Sequence, residues 1–203
     1  ANDIRTNKEG DPQGCIGDLG WYCVRLGQLV FNKVGANKLK SAMVSNWKLN
    51  EEGVPIDATC FVNFHDDNAE GRDGDRLLSF HCSFIHPLRQ RAEIYGTKES
   101  VDIGDYVIPK EGPSSFRAHS MKLTQNDTFT VHCGDLIEVP SGPVQEVMMW
   151  RNFHKLCKSV EVNGWVGGNE ASRLTSTSSD TQLVIDALMK SIRNDGLLVK
   201  LDE

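Results

Sequence analysis

The change of hydrophobic period at Gly35 constrains this chain more than any other feature. Between residues 18 and 32 the apolar side chains Cys23, Val24, Leu26, Leu29, Val30 and Phe31 recur at three- and four-residue intervals, which gathers them on one side of a helix. Beyond Gly35 the period falls to two. Residues 40–47, 56–64, 77–85 and 90–95 alternate or are rich in β-formers, with turn residues between them, and predict an antiparallel meander of long strands. Shorter strands are predicted at 101–103, 106–108, 116–123, 129–132 and 136–139.

A second helix is predicted over 143–160, opened by Gly142-Pro143. Its stripe of Val147, Trp150, Phe153, Leu156, Cys157 and Val160 places Trp150 in a core. A third helix is predicted over 180–193, with Ser178, Ser179 or Asp180 as N-cap and Asn194-Asp195-Gly196 as its stop. A final strand is predicted at 197–201. Helix, strands, then helices without strict alternation indicate an α+β fold, with a mainly antiparallel sheet, helices packed on one face and the other face open. The polar, Gly- and Pro-containing residues 1–13 read as a linker into one domain over 14–203, a length sufficient for one sizeable core.

Charge and composition exclude several classes of function. A net charge of −6 without a basic stripe argues against nucleic acid, whose binding rests on Lys and Arg displacing phosphate counterions. No apolar run approaches the roughly 20 residues of a membrane-spanning helix. The six cysteines (Cys15, Cys23, Cys60, Cys82, Cys133 and Cys157) show neither C-x-x-C nor zinc-finger spacing. They read as buried free thiols, which suits the cytoplasm or another reducing compartment such as an organelle stroma.

Candidate chemistry concentrates at the start of the first helix. Asp18 and Tyr22 stand four residues apart, one helical turn, so a carboxylate and a phenol share a face, and glycines at 14, 17 and 20 allow close backbone approach. The same residues also fit a bland role, with Asp18 capping the helix and Tyr22 packing with its hydroxyl at the surface. Trp21 beside them and Trp165 in the loop Gly164-Trp165-Val166-Gly167-Gly168 are candidates for lining a substrate pocket.

The stretch Gly14-x-x-x-Asp18-x-Gly20-x-Tyr22, followed by its apolar helix, resembles the start of the C-terminal half of Gfo/Idh/MocA-family NAD(P)-dependent oxidoreductases of the dihydrodiol dehydrogenase-like kind. Arg91-Ala92-Glu93-Ile94-Tyr95-Gly96-Thr97-Lys98 is similar to a strand and turn of that family, with Glu99 where the family has Gly. Thr181-Gln182-Leu183-Val184-Ile185-Asp186-Ala187-Leu188 is similar to its last helix. The three blocks follow the family's order between residues 10 and 195.

The resemblance implies a substrate-binding and dimerisation domain, with Tyr22 exchanging a proton with a substrate hydroxyl, Asp18 orienting it, and NAD or NADP held by a Rossmann half. That half, with its Gly-rich phosphate loop and catalytic Lys, is not found in these residues: no G-x-G-x-x-G occurs in the chain. The chain therefore reads as a separated C-terminal half, or as a protein that has lost its cofactor domain. The missing half, or a homo-oligomer or other protein partner on the open sheet face, is the implied partner. A non-catalytic interaction module or subunit of a larger assembly on the same fold is the alternative.

Metal chemistry is not predicted. The loop from Asp66 to Arg76 has acidic or amide residues in a calcium-loop pattern but ends on Leu77 where a bidentate Glu is needed, and reads as a hairpin tip. On an extended strand His81 shares a face with Ser83 and Ile85 while Cys82 and His86 point the other way, so His81 and His86 are not expected to share a ligand. His65, His119, His132 and His154 lack partners at ligand spacing. Arg89 and Arg91 read as charges guarding a strand edge.

Overall fold

The computed structural model describes residues 3–68, 74–108, 112–123, 129–132, 134, 136–164 and 170–201, the side chains of 121–123 and 129–132 excepted. The fold is α+β, as the periodicities predict, and its strands divide between two antiparallel sheets. Contacts within the chain separate two compact units, Ala1–His86 with Trp165–Glu203, and Pro87–Gly164.

The first unit opens with a short 3-10 turn at Ile4–Thr6 and the helices α1 (Gly14–Asp18) and α2 (Gly20–Asn32). Its strands are β1 (Lys38–Leu49), β2 (Pro55–His65), β3 (Arg76–Ser83) and β9 (Val199–Lys200), in sheet order β3-β2-β1-β9. The helix α4 (Glu170–Arg193) lies over β1, α1 over β2 and α2 over β3. Ile16 and Val24 from α1 and α2, Val44, Cys60, Val62 and Phe64 from β1 and β2, and Val184, Ile185 and Leu188 from α4 meet in one buried cluster. On β3 every second side chain turns away from these helices, leaving Leu77, Ser79 and His81 exposed on the other face.

The opening segment is tied down. Asn50 donates to the Thr6 carbonyl at 2.6 Å, and the Lys8 amide donates to Glu52 at 2.9 Å, both partners lying in the β1–β2 turn. Asp11 Oδ1 accepts from the amides of Gln13 and Gly14 at 3.1 Å each, so Asp11 performs the capping that the sequence offered to Asp18. The helical start accordingly moves back to Gly14. Gly14 has φ +51°, and a Cβ there would stand 2.2 Å from the Pro55 carbonyl oxygen, a position only glycine fits.

The helix α4 begins ten residues before the predicted start. Ser178, a cap candidate, instead donates back inside the helix to the Leu174 carbonyl at 3.0 Å, as Thr175 does to Ala171 and Thr177 to Arg173 at 3.0 and 2.7 Å. Its end agrees with the sequence, as Asp195 and Gly196 take positive φ and the Gly196 amide returns to the Ser191 carbonyl at 2.8 Å.

Two polar ties seat α4. Buried Thr181 donates to Gln28 Oε1 of α2 at 2.9 Å. Ser191 Oγ, fully buried, accepts from the Val44 amide at 3.0 Å, beside the register shift between Val44 and Asn46 in β1. The irregularity frees that amide from the ladder, and the serine satisfies it. Ser191→Ala is therefore expected to cost about 1–3 kcal/mol, because a buried N–H loses its acceptor. Urea unfolding of the two proteins checks this, and equal midpoints would show that the amide has another partner.

The second unit holds β4 (Ala92–Tyr95), β5 (Glu99–Ile103), β6 (Ser114–Leu123), β7 (Phe129–His132) and β8 (Leu136–Val139), ordered β4-β5-β6-β7 with β8 also pairing β6. The strand and turn predicted at 91–98 form the β4–β5 hairpin, closed by the Gly96 amide on the Glu99 carbonyl at 2.9 Å. Residues 106–108, predicted as a strand, form a bend. The helix α3 (Gln145–Asn163) follows its predicted span but buries none of its side chains. Trp150, assigned to a core from its stripe, is exposed and meets Phe153 edge to face. An apolar stripe marks a face able to be buried; here its Val147, Trp150 and Phe153 stay exposed.

Candidate functional site

The α1–α2 junction presents the pair singled out by spacing. Leu19, at φ −93° and ψ −40°, joins the two helices almost without interruption, so Asp18 and Tyr22 remain one turn apart. Gly20 is buried, and a Cβ on it would lie 3.3 Å from the Phe80 ring; its bareness lets α2 sit close on β3. Trp21 is half-buried and packs against the core cluster, which gives it a structural anchor beside the pair. Tyr22, at 48% exposure, turns outward, and its hydroxyl makes no hydrogen bond among the described residues.

Asp18 is partly exposed, and its Oδ2 lies 3.6 Å from Arg5 Nε. The helical spacing puts Arg25 one turn beyond Tyr22. Its Nη1 is buried and has no hydrogen-bond partner among the described residues. Arg25 was passed over in the sequence because a single Arg on an amphipathic helix carries no pattern. The arrangement offers an accessible phenol, a carboxylate steadied by a cation, and a guanidinium N–H with unused donor capacity. Trp165 lies outside the described residues.

A second cluster forms where the sequence predicted none. Antiparallel pairing sets Thr59 opposite His81 and Asp57 opposite Ser83, which puts Asp57 and His81 on one face of neighbouring strands. The chain then bends: β3 stops at Ser83, and the strand alternation that separated His81 from His86 stops with it. His86 Nδ1 comes within 3.2 Å of His81 Nε2, and the rings stack with centroids 5.4 Å apart. Asp57 Oδ1 lies 3.3 Å from His81 Nε2 and 3.5 Å from His86 Nδ1. The two side chains that alternation places on opposite faces thus come together at the bend, because alternation holds only while a strand stays extended.

Other polar groups serve the frame. Asp75 accepts from His65 Nδ1 at 2.7 Å and from Lys40 Nζ at 3.2 Å, and these two hydrogen bonds, His65 foremost, hold its carboxyl below the usual carboxylate range. The segment from Asp66 toward Asp75 joins β2 to β3, with the Asp66 amide on the Gly74 carbonyl at 3.1 Å; its residues 69–73 lie outside the described ones. In the second unit Arg91 makes a bidentate pair with Asp102 across β4–β5, at 3.0 and 2.9 Å, so its charge is engaged in cross-strand pairing.

Among the described residues no two cysteines are joined in a disulfide. Cys15 and Cys82 hold their sulfurs 3.9 Å apart as free thiols. Contact with Cys82 and burial push the Cys15 thiol far up; for Cys82, the contact with Cys15 acts downward but contact with Cys60 and burial outweigh it. Both are held protonated and inert. Cys23 is half-buried and Cys60 buried, while Cys157 is exposed, an exception to the expected buried thiols. No family model matches the chain.

Proposed function

We propose that this chain is the substrate-binding and oligomerisation half of a Gfo/Idh/MocA-type NAD(P)-dependent oxidoreductase acting on a sugar, polyol or dihydrodiol. The observation that carries the reading is the accessible Asp18–Tyr22 pair on one helical turn, set at the edge of an antiparallel sheet backed by helices. NAD or NADP, when bound, supplies the hydride acceptor or donor. No Gly-rich phosphate loop occurs in this sequence, so the nucleotide belongs to a dinucleotide-binding domain outside it.

In the oxidative direction Tyr22, entering as the phenolate, would take the proton of the substrate hydroxyl, and the oxidised nucleotide would supply the acceptor for the carbinol hydride, leaving a carbonyl compound. In reduction Tyr22 returns that proton. Asp18, steadied by Arg5, accepts a hydrogen bond from a neighbouring substrate hydroxyl and orients it.

The test is the gene and its full product. The coding sequence upstream of Ala1 is expected to specify roughly 130 residues with a strand, Gly-rich loop and helix. The full product is expected to reduce NAD or NADP in the presence of a polyol, sugar or trans-dihydrodiol, whereas the 203-residue chain alone binds neither nucleotide in calorimetric titration. Micromolar binding by the chain alone, or an upstream region without the loop, would overturn the reading.

The exposed Trp150–Phe153 face of α3 favours a second reading, a non-catalytic interaction module. Such a module would lack the upstream loop and show no turnover.

A further inference from the structure

We propose that Asp57, His81 and His86 form a binding site for a divalent transition-metal ion of the Zn²⁺ class, with one coordination position open to solvent. Two imidazole nitrogens and a carboxylate oxygen are the donor set that zinc accepts in sites retaining an exchangeable ligand. Geometry is the stronger argument. A tetrahedral ion with bonds of about 2.0–2.1 Å holds its ligand atoms about 3.3–3.4 Å apart. The three separations here, 3.2, 3.3 and 3.5 Å, outline one face of such a tetrahedron.

The neighbouring groups are arranged to support this use. Thr59 Oγ1 lies 3.1 Å from His81 Nδ1, and with Nδ1 donating to that hydroxyl the His81 Nε2 lone pair is turned toward Asp57 and His86. Asp57 is the anchor. It is 9% exposed, and its Oδ1 is sealed from solvent with no hydrogen-bond partner among the described residues. A buried carboxylate oxygen that has two imidazole nitrogens beside it but no aligned hydrogen bond is costly, and a cation held at the centre of the triangle would remove that cost.

Both histidines are more than two-fifths exposed, which gives an ion an entry path and leaves the fourth position facing water. The ion would also clasp the bend after β3 to the start of β2, cross-linking the end of the sheet. The site lies apart in the sequence from Asp18 and Tyr22, and it stands or falls independently of the oxidoreductase reading.

The test uses the chain freed of metal by chelator dialysis. Titration with Zn²⁺ alone, followed by calorimetry, is expected to show one saturable equivalent; Co²⁺ alone is expected to give the intense visible bands of a tetrahedral complex. His86→Ala removes a ligand at an exposed position, where folding is preserved and verified by circular dichroism. It is expected to weaken Zn²⁺ binding by more than roughly 100-fold, the upper end of what losing a ligand's hydrogen-bond partner costs. His81→Ala is expected to do the same, and Thr59→Ala to weaken binding by about 10–100-fold. Absence of saturable uptake would show an ion-pair cluster only and overturn the proposal, as would full retention of binding and of the cobalt bands in His81→Ala and His86→Ala.

Discussion

Tyr22→Phe in the full-length protein is expected to lower turnover by roughly 10²–10⁴, the contribution of a positioned general acid/base. The substitution removes one hydroxyl from a ring that is half exposed, and that hydroxyl makes no hydrogen bond among the described residues. Thermal stability should therefore stay close to the parent. A loss of turnover without a loss of stability separates proton transfer from packing. Asp18→Asn is expected to cost less, since an amide still accepts a hydrogen bond from the substrate while its attraction to Arg5 weakens. Steady-state kinetics with a saturating nucleotide decides the matter: turnover of Tyr22→Phe within about twofold of the parent, far short of the acid/base contribution, would make Tyr22 a surface residue and leave the reaction without its proton carrier.

Phe64→Ala is expected to destabilise the first unit by about 3–5 kcal/mol. Phe64 is the largest side chain that the core buries completely, and its ring meets Phe31 of α2 at a centroid distance of 5.1 Å and a 59° tilt. Truncation removes the aromatic contact and leaves a cavity between β2 and α2 that neighbours on both elements cannot fill without moving backbone. Phe64→Leu, which refills part of the space, is expected to cost less. Urea unfolding followed by circular dichroism measures both, and a Phe64→Ala loss below about 1 kcal/mol, typical of a surface change, would contradict the packing of α2 on this sheet.

The longest strands could be read from alternation because each is half-covered by helices. In β2 the inward positions Ala58, Cys60, Val62 and Phe64 are buried, and the residues between them are more open, so the period of two is written directly in the side chains. The β4–β5 hairpin was legible for the same local reason, with Gly96 at its turn. The helix boundaries were less so. Asp18 and Asp180 both have the chemistry of a cap, but capping depends on which backbone amides are free. Asp11 claims the first set at α1, and the threonines and Ser178 spend their hydroxyls on carbonyls inside α4.

The sequence by itself determined the order and kind of the main elements and the one-turn spacing of Asp18 and Tyr22, because helix and strand periods are properties of residues within a few positions of one another. Only the tertiary structure decided what those elements face. It exposed the apolar stripe of α3 around Trp150 and divided the strands between two sheets. It also gathered Asp57, His81 and His86, residues that local alternation kept apart. That cluster exists because β2 and β3 pair in a register that sets Thr59 opposite His81, and because the chain bends after Ser83. Register and bends are set by burial of the opposite face against α1 and α2, a long-range condition that no window of neighbouring residues contains.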